Sequence, residues 1–136
     1  MNDLSTGDLA RACAVSPDTI RYYHKRGALG AVRSGGGSRR FDPAAIRRVR
    51  VIRNAIAIGF TLDELVRFFA EKREGRPPCR QVRAAAEKKL AALDQKIREL
   101  QELRKRMAGI LRDWDARLAT GEPAHLLESL HERISE

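Results

Sequence analysis

Apolar positions fall into two kinds of order along this chain. From Cys79 to about Leu118 there is no proline, and Val82, Ala86, Leu90, Leu93, Ile97, Leu100, Leu103, Met107, Leu111, Trp114 and Leu118 recur in steps of three and four. That is the period of one stripe on one helix. At 1.5 Å per residue, about 39 residues make a rod of roughly 58 Å, too long to bury its stripe on a small head. The stripe therefore predicts a partner helix, in an imperfect-heptad coiled coil between two copies related by a two-fold axis.

The N-terminal half shows shorter periods broken by turn residues. Residues 7–13 read as a short helix, and Ser16-Pro17-Asp18-Thr19 starts a second, with Ser16 as N-cap and Pro17 in the first turn, running to about Arg26 before Gly27. Two helices this close predict a helix-turn-helix, whose second helix enters the major groove. Leu9, Val15 and Ile20 fall between them, leaving Arg21, Tyr22, Lys25 and Arg26 outward or along the rim. Tyr23 lies about 100° from Tyr22 on the helix and is read as core.

Residues 30–41 predict a small hairpin, or wing, turning at Gly35-Gly36-Gly37 with Ser38, Arg39 and Arg40 at its tip. Asp42-Pro43 opens a third helix to about Ile58. Thr61-Leu62-Asp63-Glu64 is a capping box for a fourth, to about Lys72. Gly75, Pro77 and Pro78 break the pattern before the long helix. After a turn at Thr120 to Ala124, His125 to Ile134 reads as a final short helix. The expected fold is mainly α, in three parts: a winged helix-turn-helix over 1–75, a linker and long dimerisation helix over 76–118, and a C-terminal effector-region loop and short helix over 119–136.

Composition supports this plan. Charged residues make up 33% of the chain and aromatic residues 5%, a balance that suits a helical protein better than a sheet-rich one. The net charge of +9 is uneven, since residues 1–53 hold 11 Lys/Arg against 4 Asp/Glu. Such a concentrated field draws polyanions, nucleic acid first. No stretch approaches a membrane span and no signal-peptide core opens the chain, so a cytoplasmic protein with no membrane partner is expected. An enzyme is not expected: there is no phosphate-binding glycine loop, no HExxH and no nucleophile–base grouping. His24, His125 and His131 read as surface residues.

Three motifs in order carry a resemblance: Thr19-Ile20-Arg21-Tyr22-Tyr23, then Gly37-Ser38-Arg39-Arg40-Phe41-Asp42, then Gly59-Phe60-Thr61-Leu62-Asp63-Glu64, all ahead of the long helix. Over nearly its whole length the chain resembles the MerR family of bacterial transcription regulators. The resemblance implies an antiparallel coiled-coil homodimer on a palindromic promoter site, distorting an overlong spacer so that RNA polymerase can use it. It also assigns DNA contact to Arg21 and Tyr22 and phosphate contact to Arg39, with Lys25, Arg33, Ser38 and Arg40 as further candidates. Ser38 stands where many members have a tyrosine. Ala14 stands where a turn glycine is common, at a cost of up to about 1 kcal/mol if that turn needs positive φ.

The two cysteines, Cys13 and Cys79, make neither a disulfide framework nor a zinc motif. Cys13 falls on the inner face of the first helix and is read as a small buried hydrophobe. Cys79 opens the long helix beside Arg76, Arg80 and Arg83, a setting that favours a thiolate. Metal-sensing members of the family place a cysteine there and two more in a loop after the dimer helix; here Trp114 and Ala124 or His125 stand near those places. A metal on Cys79 would need co-ligands such as His125. Three effector classes stay open: a metal ion, the one cofactor suggested, a thiol-reactive compound, and an organic ligand near Trp114. The competing reading is an effector-independent architectural DNA-binding coiled-coil protein.

Overall fold

The computed structural model describes residues 3–30, 33–35, 38–121 and 123–132. They form two compact units, Met1–Lys89 and Leu90–Glu136. The first contains helices α1 (Thr6–Cys13) and α2 (Pro17–Lys25), strands β1 (Arg33–Gly35) and β2 (Ser38–Arg40), helices α3 (Ala44–Ala57) and α4 (Leu62–Arg73), and the start of α5 (Cys79–Ala119).

Helix α1 begins earlier than its apolar pattern suggests, because Ser5 and Asp8 form a capping box. The Ser5 hydroxyl accepts from the Asp8 N–H at 3.0 Å and the Asp8 carboxylate accepts from the Ser5 N–H at 3.3 Å. The helix ends at Ala14, whose φ of 55° is left-handed and whose N–H serves the last-turn carbonyls of Ala10 and Arg11. The turn therefore has the backbone for which glycine is the usual choice. Ser16 then caps α2 by accepting from the Thr19 N–H at 3.1 Å, with Pro17 in the first turn as expected.

Leu9, Ile20, Phe41, Val49 and Ile52 are the largest fully buried side chains, and they join α1, α2 and α3 through Phe41, the residue after β2. Each contributes about 1.5–3 kcal/mol by leaving water. Leu4 pairs with Phe41 as an isolated antiparallel bridge, its N–H donating to the Phe41 carbonyl at 2.7 Å. Tyr23 and Cys13 are buried and Val15 packs at the core edge, as their positions predict. His24, read as a surface residue, is instead half-buried, edge-on to Phe41 with ring centroids 6.0 Å apart.

The wing differs in one detail from its sequence reading. Strands β1 and β2 pair antiparallel as Arg33 with Arg40, Ser34 with Arg39 and Gly35 with Ser38. Ser38, Arg39 and Arg40 thus form the second strand rather than the tip, because Gly35 is taken into the ladder. Gly36 and Gly37 lie outside the described residues, as do Ala31 and Val32.

The capping box at α4 is present, and it does more than cap. Glu64 accepts from the Thr61 N–H at 2.8 Å and also meets Lys89 of α5 at 2.7 Å, while the Lys89 ammonium lies 5.3 Å from the Phe60 ring centre. These contacts, with Val82 and Ala85 packed at the core edge, fix the first turns of α5 to the first unit.

The second unit is the rest of α5 and a 3-10 helix, Glu128–Glu132. As a whole α5 has 41 residues, about 60 Å, and none of them is buried. Leu90, Leu93, Ile97, Leu100, Leu103, Met107, Leu111 and Leu118 are 51–59% exposed. The helix ends where Gly121 turns to φ 76° and the Thr120 hydroxyl donates to the Arg117 carbonyl at 2.8 Å. The expected α-helix from His125 is replaced by the shorter 3-10 segment. His125 has φ 44°, left-handed backbone that no α-helix can include; Ile134 lies outside the described residues.

Candidate nucleic-acid interface

Helix α2 divides its two tyrosines as its period requires: Tyr23 is 8% exposed and Tyr22 is 52% exposed. Arg21 and Lys25 share the solvent-facing side with Tyr22. Arg21 is held by Asp18, one turn earlier, which orients the guanidinium but, being itself exposed, adds little stability. On β2, Arg39 and Arg40 are exposed. The strand alternation sends them to opposite faces.

Arg39 lies close enough to His24 of α2 that its charge, after burial, helps hold the imidazole below its ordinary value. The second wing strand thus lies near His24 of α2. The backbones of Arg33 and Ser38 belong to the hairpin; their side chains lie outside the described residues.

Three arginines that look alike in sequence have internal work. Arg48 donates to the Ala28 carbonyl at 3.2 Å and stacks 3.8 Å from the Phe69 ring centre, and burial followed by Arg73 lowers its pKa from the ordinary value. Arg53 donates to the Cys13 carbonyl at 3.1 Å, serving an acceptor at the end of α1. Arg26 pairs with Asp63, joining the end of α2 to the start of α4. Arg48 and Arg53 flank the buried Ala45–Val49–Ile52 stripe on α3, next to partners that lie far away in the sequence. Arg47 and Arg50 of α3 are exposed, as is Arg53 despite its bond to the Cys13 carbonyl.

A profile for the MerR HTH family regulatory protein matches residues 4–72, and a second, MerR DNA binding, matches residues 46–110. The chain belongs to the MerR family. Its relatives include the HTH-type transcriptional regulator ZntR of Escherichia coli K12, 30% identical over 101 residues, which span 73% of this chain and 72% of ZntR. The mercuric resistance operon regulatory protein of Pseudomonas fluorescens is 33% identical over 101 residues, 74% of this chain and 69% of that protein. Among solved structures, the transcription regulator PbrR691 of Ralstonia metallidurans CH34, in complex with lead(II), matches with a TM-score of 0.72 and 26% identity over 80% of this chain and 85% of that one. This MerR chain is thus a DNA-binding transcription regulator of mainly helical fold, and its relatives are regulators rather than enzymes. Among the described residues, no helix is long and apolar enough to cross a membrane.

The effector candidates are less converged. Cys13 is buried, its thiol 3.8 Å from the Ile46 carbonyl, and burial raises its pKa. Cys79 is exposed at the start of α5. Two of the three arginines expected to flank it are engaged elsewhere: Arg76 with Glu71 and Glu74, and Arg83 with Glu87 at 2.7 Å. His125 is exposed, and its carbonyl accepts from the Ser129 N–H at 3.1 Å. Among the described residues no three His, Cys, Asp or Glu side chains are grouped to hold a metal ion.

Proposed function

We propose that this regulator binds a palindromic promoter site as a homodimer, acts in the cytoplasm, and distorts the spacer so that RNA polymerase engages the promoter in response to an effector. The observation that carries the reading is the exposed stripe from Leu90 to Leu118 on a helix with no buried residue. Eight large apolar side chains at 51–59% exposure call for a second helix, and an identical copy supplies a matching stripe. Two copies give two basic heads and thus two half-sites. The working division is a DNA-binding part over 1–75, the dimerisation helix over 76–118 and an effector region over 119–136.

In each half-site Arg21 and Tyr22 contact DNA from α2, Lys25 supports them, and Arg33, Ser38, Arg39 and Arg40 hold phosphates from the wing. A thiol-reactive compound is the effector class that Cys79 suits best, because the thiol is exposed and, among the described residues, no group of three ligating side chains includes it. The mercuric and lead(II) relatives keep a metal in contention, but it would draw its other donors from a second copy.

Footprinting on the chain's own upstream DNA, with a Cys79→Ser variant alongside, tests the reading. One protected palindrome with hypersensitive positions in its spacer is expected, with the effector response lost in the variant. Sequence-independent coating would establish the architectural reading instead.

A further inference from the structure

The second unit contains a closure that the DNA reading does not use, and in which one member of the apolar stripe, Trp114, takes part through its polar edge. Trp114, on the last turns of α5, donates its indole N–H to the Ser129 hydroxyl at 3.2 Å. Ser129 in turn donates to the Leu126 carbonyl at 2.6 Å, and its own N–H goes to the His125 carbonyl at 3.1 Å. Ser129 is buried, the sole buried polar residue among those described. Leu126 and Leu130 are half-buried beside it, whereas Leu127 is exposed.

Every polar atom of this relay has a partner, so the turn is satisfied by its own hydrogen bonds. The role of His125 here is played by its backbone, through a left-handed φ of 44° and a carbonyl that accepts from Ser129, while its side chain faces solvent. Trp114 and Ser129 offer a metal ion no strong donor, and no three ligating side chains gather among the described residues.

The geometry points to a metal-free latch: the C-terminal turn is closed onto α5 by the relay from Trp114 through Ser129 to the Leu126 carbonyl, with His125 acting through its backbone and not its imidazole. Closure is independent of DNA and of Cys79. The latch thus stands or falls separately from the proposed effector chemistry.

Trp114 is the only tryptophan in the chain, so its emission, read at one fixed protein concentration to hold self-association constant, reports the latch in the full-length protein. In metal-stripped protein we expect blue-shifted emission and slow proteolysis between residues 120 and 128, both unchanged by excess chelator or by zinc(II) or lead(II). Ser129→Ala should shift the emission to the red and speed cleavage at least fivefold, while Ser129→Thr, which keeps a hydroxyl, should restore the closed signature. His125→Gly separates the two roles of that residue, because it deletes the imidazole but favours the left-handed backbone; it should stay closed and resist cleavage at least as well as the parent.

Far-ultraviolet circular dichroism checks that α5 is intact in each variant. The latch is overturned if chelation produces the Ser129→Ala signature and metal reverses it, if His125→Gly opens the turn, or if Ser129→Ala leaves emission and cleavage unchanged.

Discussion

The two units bury their apolar side chains to opposite degrees. In the first, Leu9, Ile20, Val49 and Ile52 are at 0% exposure and Phe41 at 1%, enclosed by helices that cap themselves. In the second, α5 carries leucines of the same kind at more than half exposure, and among the described residues the one buried side chain is the polar Ser129 of the 3-10 helix. The first unit contains what it needs to hold its shape. The second holds a helix whose apolar stripe is stabilised only when something covers it, so its stability should depend on protein concentration while that of the first should not.

The contrast is broken most severely from inside the first unit. Phe41→Ala should cost about 3–5 kcal/mol by leaving a cavity among α1, α2 and α3, read as a lower denaturation midpoint and lost DNA binding. Leu100→Ala, a truncation on the exposed stripe, should leave the head intact. It should instead weaken self-association by about 2–3 kcal/mol per protomer, measured by sedimentation equilibrium. If both variants lost stability independently of concentration, the distinction between the units would fail.

Finer tests follow within the first unit. Arg39→Ala should weaken promoter binding by about 1.5 kcal/mol, roughly tenfold, in a mobility-shift titration, with no change in thermal midpoint because the side chain is exposed. Ala14→Gly should raise the stability by up to about 1 kcal/mol, since it relieves a left-handed φ of 55°; thermal denaturation reads it.

The smallest effect is on pH dependence. Lys89 first, then the Thr61 N–H, holds the Glu64 carboxyl below the ordinary glutamate range. Because the folded value is depressed, this stabilisation is complete above the unfolded value and disappears as pH falls through the folded one. Lys89→Met should therefore flatten the acid limb of the stability curve in that window and change little near neutrality.

Local chemistry made most of this fold legible. Ser16-Pro17 and Thr61 through Glu64 state where helices begin because a cap is a short-range contact, and the spacing of Leu9 and Ile20 states which faces meet. Ser5 and Asp8 carry the same short-range signal at α1. The roles of Arg48, Arg53 and Lys89 were not legible in the same way: their partners are Phe69, Cys13 and Glu64, positions that only the folded chain brings near. At the C-terminus, Leu126, Leu127 and Leu130 fit a helical face, yet the left-handed backbone at His125 overrides that period. The candidate DNA contacts on α2 were readable because neighbouring positions on a helix face different ways, as Tyr22 and Tyr23 show.

The spacing within the α5 stripe also sets a sense of rotation. Eight steps carry it from Leu90 to Leu118, 28 residues, a mean of 3.5 per step with the irregular run Ile97, Leu100, Leu103, Met107 near its middle. An α-helix turns once in about 3.6 residues, so a stripe repeating at 3.5 drifts slowly around the helix in the left-handed sense. Two such helices, if paired, would keep their stripes together along the whole length only by winding around each other left-handedly, so the period of one chain already states the hand such a pair would take.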